Sequence, residues 1–158
     1  MPQDEATTVR FAEPRDMDSL ISFGRTMASE TEGLRLDEKT LAKGVRAVFD
    51  SPERGFYVIA ELGGRAVGGL MITYEWSDWR NAWWWWIQSV YVLPKFRKRG
   101  VYRALHEWVE REARKRRDVC GLRLYVDRQN LTAQQVYSRL RMTRSRYDFF
   151  ERHFSKRA

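Results

Sequence analysis

Residues 90–105 have the sequence VYVLPKFRKRGVYRAL, whose character changes twice along its length. The β-branched and aromatic residues 90–93 predict a strand, the proline and basic residues predict a loop, and the apolar residues from Val101 onward recur at helical spacing. The first turn of a helix leaves backbone N–H groups without partners inside the helix, and the helix dipole is positive there. The sequence therefore predicts a strand–loop–helix junction that binds an anion, such as a phosphate, through main-chain groups.

The side chains of this loop strengthen that prediction. Arg97, Lys98, Arg99 and Arg103 surround the loop with positive charge, and Gly100 allows close backbone approach to a phosphate because it has no Cβ. The alternative is a solvated surface turn, since a short basic motif before a helix has little specificity by itself. Residues 90–105 alone therefore leave both interpretations open.

A second motif follows in residues 122–140. Residues 122–126 predict a strand, and Asn130 is suited to cap the helix that begins after it. One face of that helix is apolar and consists of Ala133, Val136, Tyr137 and Leu140. On structural grounds alone, Asn130 is a helix cap and Tyr137 belongs to the core.

The first motif resembles the pyrophosphate-binding motif of the GNAT superfamily of acetyl-CoA-dependent N-acetyltransferases. In that family the pattern is Q/R-x-x-G-x-G/A, and here Arg97 and Gly100 occupy its first two fixed positions. Tyr102 stands where the family has Gly or Ala. Its ring must therefore either point away from the cofactor or reshape the diphosphate site.

The second motif resembles the same family in its order and spacing. Asn130 follows a strand, Ala133 comes three residues later, and Tyr137 comes four residues after that. The family's closing Gly-Phe is replaced by residues 141–142, Arg-Met. If the helix ends with a left-handed residue there, an arginine costs about 1 kcal/mol more than a glycine.

The resemblance covers nearly the whole chain and implies a fold. It implies one α/β domain over residues 1–158, with a mixed, mostly antiparallel central sheet and helices on both faces. It also implies a V-shaped split between two parallel central strands, in which the nucleotide thioester binds. The cofactor positions that it implies are Val90, Tyr91, Val92, Arg97, Lys98, Arg99, Gly100, Val101, Tyr102, Arg103, Asn130 and Tyr137.

The resemblance also implies an activity: direct transfer of acetyl from acetyl-CoA to a primary amine of a small molecule or peptide. An amine with a pKa near 10.4 is neutral only on the order of one part in a thousand at pH 7, so its proton must be removed. The family's glutamate is absent, because this strand offers Gln88 and Ser89 instead. Glu75 is the leading candidate for the base, followed by Asp78 and Asp127. A water chain or an acceptor of low pKa is an equal alternative.

Two further roles complete the implied reaction. Main-chain N–H groups of residues 90–92 are expected to hold the thioester carbonyl and its developing charge. Tyr137 matches the family tyrosine that protonates the departing CoA thiolate. No metal is expected in this chemistry. Glu30 and Glu32, in the polar segment 29–34, are placed to meet a cationic acceptor, although a solvated loop is the simpler interpretation.

Composition limits the other classes of function. The formal net charge of +8 favours an anionic partner without choosing among a cofactor, a nucleic acid and an acidic surface. The basic residues are interleaved with glutamates and no nucleic-acid motif is evident, so a nucleic-acid or acidic-partner module is a weaker alternative. A catalytically inactive acyl-CoA sensor is another. No apolar run reaches membrane-spanning length and no signal peptide is evident, so we expect a cytoplasmic protein without membrane contact.

Tryptophans are unusually frequent, with seven in the chain, and four of them form the run Trp83–Trp86. In a strand they alternate, so two indoles should lie on each face of the sheet. Helix packing and a homodimer contact are the simpler uses for them, and one or two could line an acceptor cavity. The only cysteine, Cys120, is expected to be a small buried residue.

The remaining elements are predicted from spacing and turn chemistry. Strands are expected at 8–12, 55–62, 66–74 and 82–93, with a tight turn at residues 63–64. Asp16 is expected to cap the first helix, and the second helix is expected to begin at Asp37. Gly121 is expected to stop the third helix, and residues 143–154 to form one or two final strands.

Overall fold

In the computed structural model, residues 6–154 are described. The chain divides into two compact units, residues 1–124 and 125–158. The helices and strands of the first unit are β1 Thr8–Phe11, α1 Met17–Glu32, α2 Glu38–Asp50, β2 Phe56–Leu62, β3 Arg65–Ser77, β4 Ala82–Val92, α3 Val101–Arg114 and β5 Val119–Arg123. The second unit contains α4, Leu131–Arg139. That residues 1–158 form a single domain remains a prediction.

The sheet has five strands in the order β1-β2-β3-β4-β5. Neighbouring strands are antiparallel except for β4 and β5, which are parallel. The β2–β3 hairpin turns at Gly63 and Gly64, which have φ values of 55° and 71°. Positive φ at both central residues is the geometry that glycine permits without steric cost. The predicted mixed, mostly antiparallel sheet is confirmed.

Helices cover both faces of this sheet, as predicted. On one face α3 contributes Leu105 and Val109 to a core that includes Trp85 and Ile87 of β4. On the other face α1 and α2 contribute Leu20, Phe23 and Val45 to a second core with Ile59 and Tyr91. Successive strand residues alternate between these two environments, so the two cores follow from the period-2 pattern of the strands.

The parallel pair β4–β5 separates part-way along β4. The registered pairs run from Trp83–Val119 to Trp86–Arg123, whereas β4 continues to Val92. Beyond Trp86, β4 contains a bulge opposite Gly69 and Met71 of β3, and Ser89 has a φ of 52°. A bulge inserts one extra residue and bends the strand. The predicted split between two parallel strands is therefore present, with β4 extending past its last partner.

Three secondary-structure predictions are wrong. β5 begins at Val119, three residues before the predicted start, and Gly121 lies within it rather than stopping α3. The strand starts earlier because the cross-strand pairs with β4 include Val119 and Gly121 themselves. Residues 143–154 contain no strand. Residues 29–32 are the last turn of α1 rather than a polar connection, and the helix ends at Gly33, where φ is 61°.

Two side-chain predictions in the first unit are also wrong. Asp16 does not cap α1; its carboxylate accepts hydrogen bonds from Arg10 at 2.7 Å and from the Glu13 N–H at 2.7 Å. An arginine and a backbone donor from the preceding turn satisfy it more fully than the helix end would. Cys120 is exposed, because it lies in β5 at the edge of the sheet. Its thiol donates to the Trp83 carbonyl. Asp37 does cap α2, accepting from the Thr40 N–H at 3.1 Å.

Candidate active site

The loop between β4 and α3 has the backbone geometry of an anion-binding turn. After a short turn at Pro94–Phe96, Lys98 and Gly100 adopt left-handed conformations with φ values of 60° and 78°. The first α3 hydrogen bond runs from the Ala104 N–H to the Gly100 carbonyl at 3.0 Å. The N–H groups of residues 101–103 precede that bond, as at any helix start. A Cβ at Gly100 would meet no atom within 4 Å, so the space in front of the loop is open.

Arg97 fastens this loop to its surroundings. Its Nε donates to the Val92 carbonyl at 2.9 Å, its Nη2 donates to Glu30 at 2.8 Å, and its guanidinium lies 5.3 Å from the centre of the Tyr91 ring. The Tyr91 hydroxyl donates to the other oxygen of Glu30 at 3.2 Å. The hydrogen bond from Arg97 lowers the pKa of Glu30, which stays ionised. Both carboxylate oxygens of Glu30 are thus hydrogen-bonded, one to Tyr91 and one to Arg97, which argues against a role in binding a cationic acceptor.

Tyr102 lies along α3. Its hydroxyl is 3.3 Å from Nδ1 of His106, which is one helical turn further on and only 2% exposed. Burial lowers the pKa of His106, so a neutral imidazole is available to accept from the phenol. The sequence left two alternatives, a Tyr102 ring that points away from the cofactor and one that reshapes the diphosphate site. The contact with His106, which directs the ring along α3, favours the first.

Beyond Trp86, the far end of β4 presents backbone groups at an edge with which no strand of residues 6–154 is paired. The Leu93 N–H donates to the Val67 carbonyl of β3 at 2.8 Å, so the polar groups of Leu93 point toward β3. Successive strand residues alternate in this direction, so the N–H of Val92 points to the opposite edge. That edge is the one from which β5 has separated after Trp86.

A polar and aromatic cluster lies where β4 and β5 separate. We call it the Trp84–Arg123 cluster, and it consists of Glu75, Arg80, Trp84, Trp86 and Arg123. One oxygen of Glu75 accepts from Nε1 of Trp86 at 2.9 Å and from Nη1 of Arg123 at 2.8 Å. The Arg123 guanidinium lies 3.9 Å from the centre of the Trp84 ring, and that of Arg80 lies 5.1 Å away.

The alternation of β4 explains why these groups meet. Trp83 and Trp85 belong to the core beneath α3, whereas Trp84 and Trp86 lie on the opposite face. Gly121 is the cross-strand partner of Trp84, and a Cβ there would lie 2.5 Å from Cζ3 of the indole. The indole therefore lies directly over Gly121, in the space that any other residue would fill.

The three candidate bases have different surroundings. Burial tends to raise the pKa of Glu75, but the hydrogen bonds from Trp86 and Arg123 outweigh it and lower the pKa below the ordinary glutamate value. Asp78 lies exposed in the β3–β4 turn and accepts from the Trp79 N–H at 3.0 Å. Asp127 belongs to the second unit, where it accepts from the Gln129 N–H at 2.7 Å.

The second unit contains the predicted Asn-to-Tyr helix. The Asn130 side chain accepts from the Ala133 N–H at 3.1 Å, so its capping role is confirmed. Arg141 has a φ of 64°, and the bonds from Arg141 N–H to Ser138 and from Met142 N–H to Tyr137 close the helix end. The helix thus ends with a left-handed residue, and Arg141 bears the conformational cost that a glycine would avoid. Burial raises the pKa of Tyr137, which keeps its phenol protonated at neutral pH.

Comparison with known proteins places these features in a family. The model of the Acetyltransferase (GNAT) family matches residues 22–141, which include both sequence motifs and all of the Trp84–Arg123 cluster. The chain belongs to the GNAT acetyltransferase family. Membership in the GNAT family makes the chain an acyltransferase, with acetyl transfer as its general activity. No curated protein matches the sequence.

Solved structures support the GNAT assignment. A possible acetyltransferase from Clostridium difficile 630 is 36% identical, with a TM-score of 0.88 over 96% of this chain and 100% of that one. An aminoglycoside N-acetyltransferase, AAC(6')-Iy, solved in complex with CoA, is 16% identical, with a TM-score of 0.77 over 97% of this chain and 98% of that one. At that identity, the second likeness shows the GNAT fold alone.

Sequence reasoning missed the Trp84–Arg123 cluster and one ion pair of the loop before α3. Arg123 was assigned only to a strand, and no individual tryptophan was distinguished. An earlier start for β5 would have placed Gly121 and Arg123 on the same face as Trp84 and Trp86. The ion pair between Glu30 and Arg97 spans 67 positions in the sequence and carries no local signal.

Two features of this GNAT protein concern membranes and metal ions. Among residues 6–154, no helix is both long and apolar enough to cross a lipid bilayer. Over the same residues, no group of three or more histidine, cysteine, aspartate and glutamate side chains is arranged to hold a metal ion.

Proposed function

We propose that this protein is an N-acetyltransferase that moves an acetyl group from acetyl-CoA to a primary amine by direct attack. The observation that carries the proposal is the juxtaposition, in one short segment, of the open loop before α3 and the unpaired edge of β4. A nucleotide thioester needs both a place for its diphosphate and a row of backbone donors for its acyl end. The CoA complex of the similarly folded AAC(6')-Iy supports CoA as the cosubstrate.

The diphosphate is assigned to the loop. The N–H groups of residues 98–103 and the positive end of the α3 dipole attract an anion, and the side chains of Lys98 and Arg99 add positive charge. Gly100 keeps the approach open. Arg97 acts from behind the loop, since its guanidinium is held by Glu30 and by the Val92 carbonyl.

The thioester carbonyl is assigned to the β4 edge at residues 90–92. The Val92 N–H points to the side that β5 has left, where a carbonyl oxygen can accept a hydrogen bond. Such a donor becomes more valuable as negative charge develops on that oxygen during attack by the amine. The unpaired edge is therefore a candidate oxyanion site, and its chemistry depends on backbone groups.

Removal of a proton from the acceptor amine is the step for which the chain has no strong candidate base among residues 6–154. Glu75 contacts Trp86 and Arg123, the last registered pair of β4 and β5, but its lowered pKa makes it a weak base toward an amine with a pKa of about 10. We therefore favour an acceptor amine that is already partly neutral, or transfer through water. Asp78 and Asp127 remain weaker candidates. Tyr137, kept protonated by burial, is assigned the role of acid to the departing thiolate.

The proposal is tested by measuring release of free thiol. The protein is incubated with acetyl-CoA, and separately with longer acyl-CoA donors, against a broad panel of primary amines. We expect thiol release that depends on both an acyl donor and an amine, with the acylated amine identified by mass spectrometry. Binding of CoA without acylation of any amine would favour the acyl-CoA sensor instead. Steep salt-dependent DNA binding without a thermal shift from CoA would favour a nucleic-acid module.

The role of Tyr137 has its own test. Tyr137→Phe removes the proton donor and keeps the ring, so turnover should fall by roughly a hundredfold, the lower range for loss of a general acid. Affinity for acetyl-CoA should stay nearly constant. Turnover equal to that of the parent at saturating substrates would reject the acid role. Tyr147→Phe, also in the second unit, is the matched control and should leave turnover unchanged.

A further inference from the structure

The charges of the Trp84–Arg123 cluster bear on the acceptor. We propose that the acceptor amine carries a carboxylate, and that Arg123 and Arg80, beside the Trp84 indole, bind it. The inference rests on the proposed function, because it treats this cluster as part of the acceptor site. It concerns which amines the enzyme accepts. The loop between β4 and α3, which we call the cofactor loop, does not determine that property.

The first step is the place of the cluster. Arg123 is the last residue of β5 paired with β4, and its partner, Trp86, is the last residue of β4 before the unpaired edge. A thioester held at residues 90–92 would lie four to six residues further along β4, so an acceptor whose amine reaches the thioester would extend back along the strand to reach the cluster. Trp84 and Trp86 lie on the face away from α3 and belong to neither apolar core. They are half-buried, so they keep surface for a ligand.

The second step is the unused hydrogen-bonding capacity of the arginines. Arg123 has five N–H donors, and Glu75 is its only hydrogen-bond acceptor among residues 6–154. The Arg80 guanidinium contacts the Trp84 ring and has no acceptor within the same range. Two arginines thus contact one indole, and among residues 6–154 Glu75 is the one carboxylate bonded to either of them. An anionic group on a ligand would neutralise the remaining positive charge.

The third step is preorganisation. Arg123 is stacked against Trp84 at 3.9 Å and held by Glu75 at 2.8 Å, and its side chain is 32% exposed. A guanidinium fixed in this way loses little freedom on binding, and its planar fork matches a carboxylate. Glu75 is then a positioning residue for Arg123, which agrees with its lowered pKa.

The same charges argue against a polycationic acceptor. The carboxylate of Glu75 is neutralised by Arg123, and Arg80 adds a further positive charge to the cluster. Glu30, one of the two glutamates expected to meet a cationic acceptor, is paired with Arg97. A second ammonium group would meet repulsion here, whereas a carboxylate on the acceptor would meet two guanidinium groups.

The test uses acceptors that differ only in charge. The ratio of kcat/KM for an amino acid to that for its amide is measured for ω-amino acids of increasing chain length and for 4-(aminomethyl)benzoate against 4-(aminomethyl)benzamide. In the latter pair the carboxylate is remote from the amine, so the two amines have similar pKa values. We expect the acid to be preferred by about tenfold or more in at least one pair, as for a hydrogen bond between charged groups.

Variants then assign the preference to residues. Arg123→Gln and Arg80→Gln should each reduce the acid-to-amide ratio several-fold, whereas Arg114→Gln, on the exposed surface of α3, should leave it unchanged. A ratio of rates is insensitive to the fraction of folded protein, so a destabilised variant still gives a result. Arg123→Lys should restore only part of the preference, because lysine lacks the planar fork.

The outcomes separate the inference from the proposed function. Thiol release with amides or polyamines preferred throughout, or an acid preference that survives both arginine substitutions, would overturn the carboxylate proposal and leave the acetyltransferase intact. Absence of thiol release with every amine would overturn both. An acid preference that disappears in Arg123→Gln would support both.

Discussion

The cofactor loop follows β4 and the Trp84–Arg123 cluster includes two of its residues, but the loop depends on backbone groups and the cluster on side chains. The loop works through backbone geometry: two left-handed residues, Lys98 and Gly100, and a helix start. The cluster works through side chains from β3, β4, β5 and the turn between β3 and β4. A backbone site is contained in one short segment, whereas a side-chain site needs a folded sheet. The substitutions below test that contrast, beginning with the largest expected effect.

Gly121→Ala should damage the cluster most. The new Cβ would lie 2.5 Å from the Trp84 indole, which Arg123 packs against, so the ring must move. We expect the free energy of unfolding to fall by about 1–3 kcal/mol, as for overpacking, with a higher KM for the acceptor and little change for acetyl-CoA. Urea denaturation and steady-state kinetics measure both effects.

The control for that substitution is Gly44→Ala, on the exposed side of α2. No atom lies within 4 Å of the added Cβ, so the change should stabilise the helix by roughly 0.5–1 kcal/mol. A neutral Gly121→Ala would mean that the indole can shift freely, and the preorganisation assigned to Arg123 would then be wrong.

Gly100→Ala should damage the loop instead. Its φ of 78° makes any Cβ strained, so stability should fall by about 1 kcal/mol. The Cβ projects into the open space assigned to the diphosphate, so CoA affinity should fall by about tenfold, the value of one hydrogen bond to a charged group. Calorimetric titration with CoA measures this change.

Gly33→Ala is its matched control. Gly33 has a φ of 61°, also with open space around its Cβ, but it lies at the end of α1. It should lose similar stability and keep CoA affinity. Equal loss of CoA affinity in both variants would show that the effect comes from lower stability and not from the loop.

The double change Arg97→Ala and Arg99→Ala should weaken CoA binding by several-fold, through lost charge and a less firmly held loop. Glu30→Gln breaks the ion pair with Arg97 while keeping the arginine, and should have a smaller effect, since solvent screens an exposed pair. CoA titrations at two salt concentrations measure both. Unaltered affinity in the double variant would remove these side chains from the cofactor site.

Glu75→Gln should have the smallest effect, and one that depends on pH. The folded-state pKa of Glu75 is lowered, so its carboxylate stabilises the fold above the ordinary glutamate pKa and loses that contribution as pH falls through the lowered value. We expect a difference under about 1 kcal/mol in unfolding free energy at pH 7, because the side chain is well solvated, shrinking toward pH 3. An equal difference at both pH values would contradict the assigned pKa.

Glu75→Gln also distinguishes a base from a positioning residue. Loss of a general base should remove the acid limb from the pH dependence of kcat. Loss of a positioning residue should keep the shape of that profile and lower the preference for carboxylate acceptors. We expect the second result.

How much was foreseeable differs between the two regions. The strand–loop–helix junction and the cap at Asn130 were predicted because each depends on neighbours within a few residues. The start of β5 was predicted wrongly because pairing with β4 outweighed local propensity. The end of α1 and the irregular segment 143–154 were also predicted wrongly, and α1 continues to the left-handed Gly33. Asp16 was misassigned for the same reason, since its partner Arg10 lies on a different element.

The sequence by itself determined the family, the order of strands and helices around the central hairpin, and the loop suited to an anion. Each of these depends on short-range spacing, turn chemistry or the conformational freedom of glycine. Only the tertiary structure decided that Trp84 lies over Gly121, that Arg123 stands beside Trp84 and Glu75, and that Arg97 belongs to Glu30. These contacts join residues far apart in the chain. Strand register and alternation bring Trp84, Gly121, Arg123 and Glu75 together, whereas the packing of α1 beside β4 brings Glu30 to Arg97.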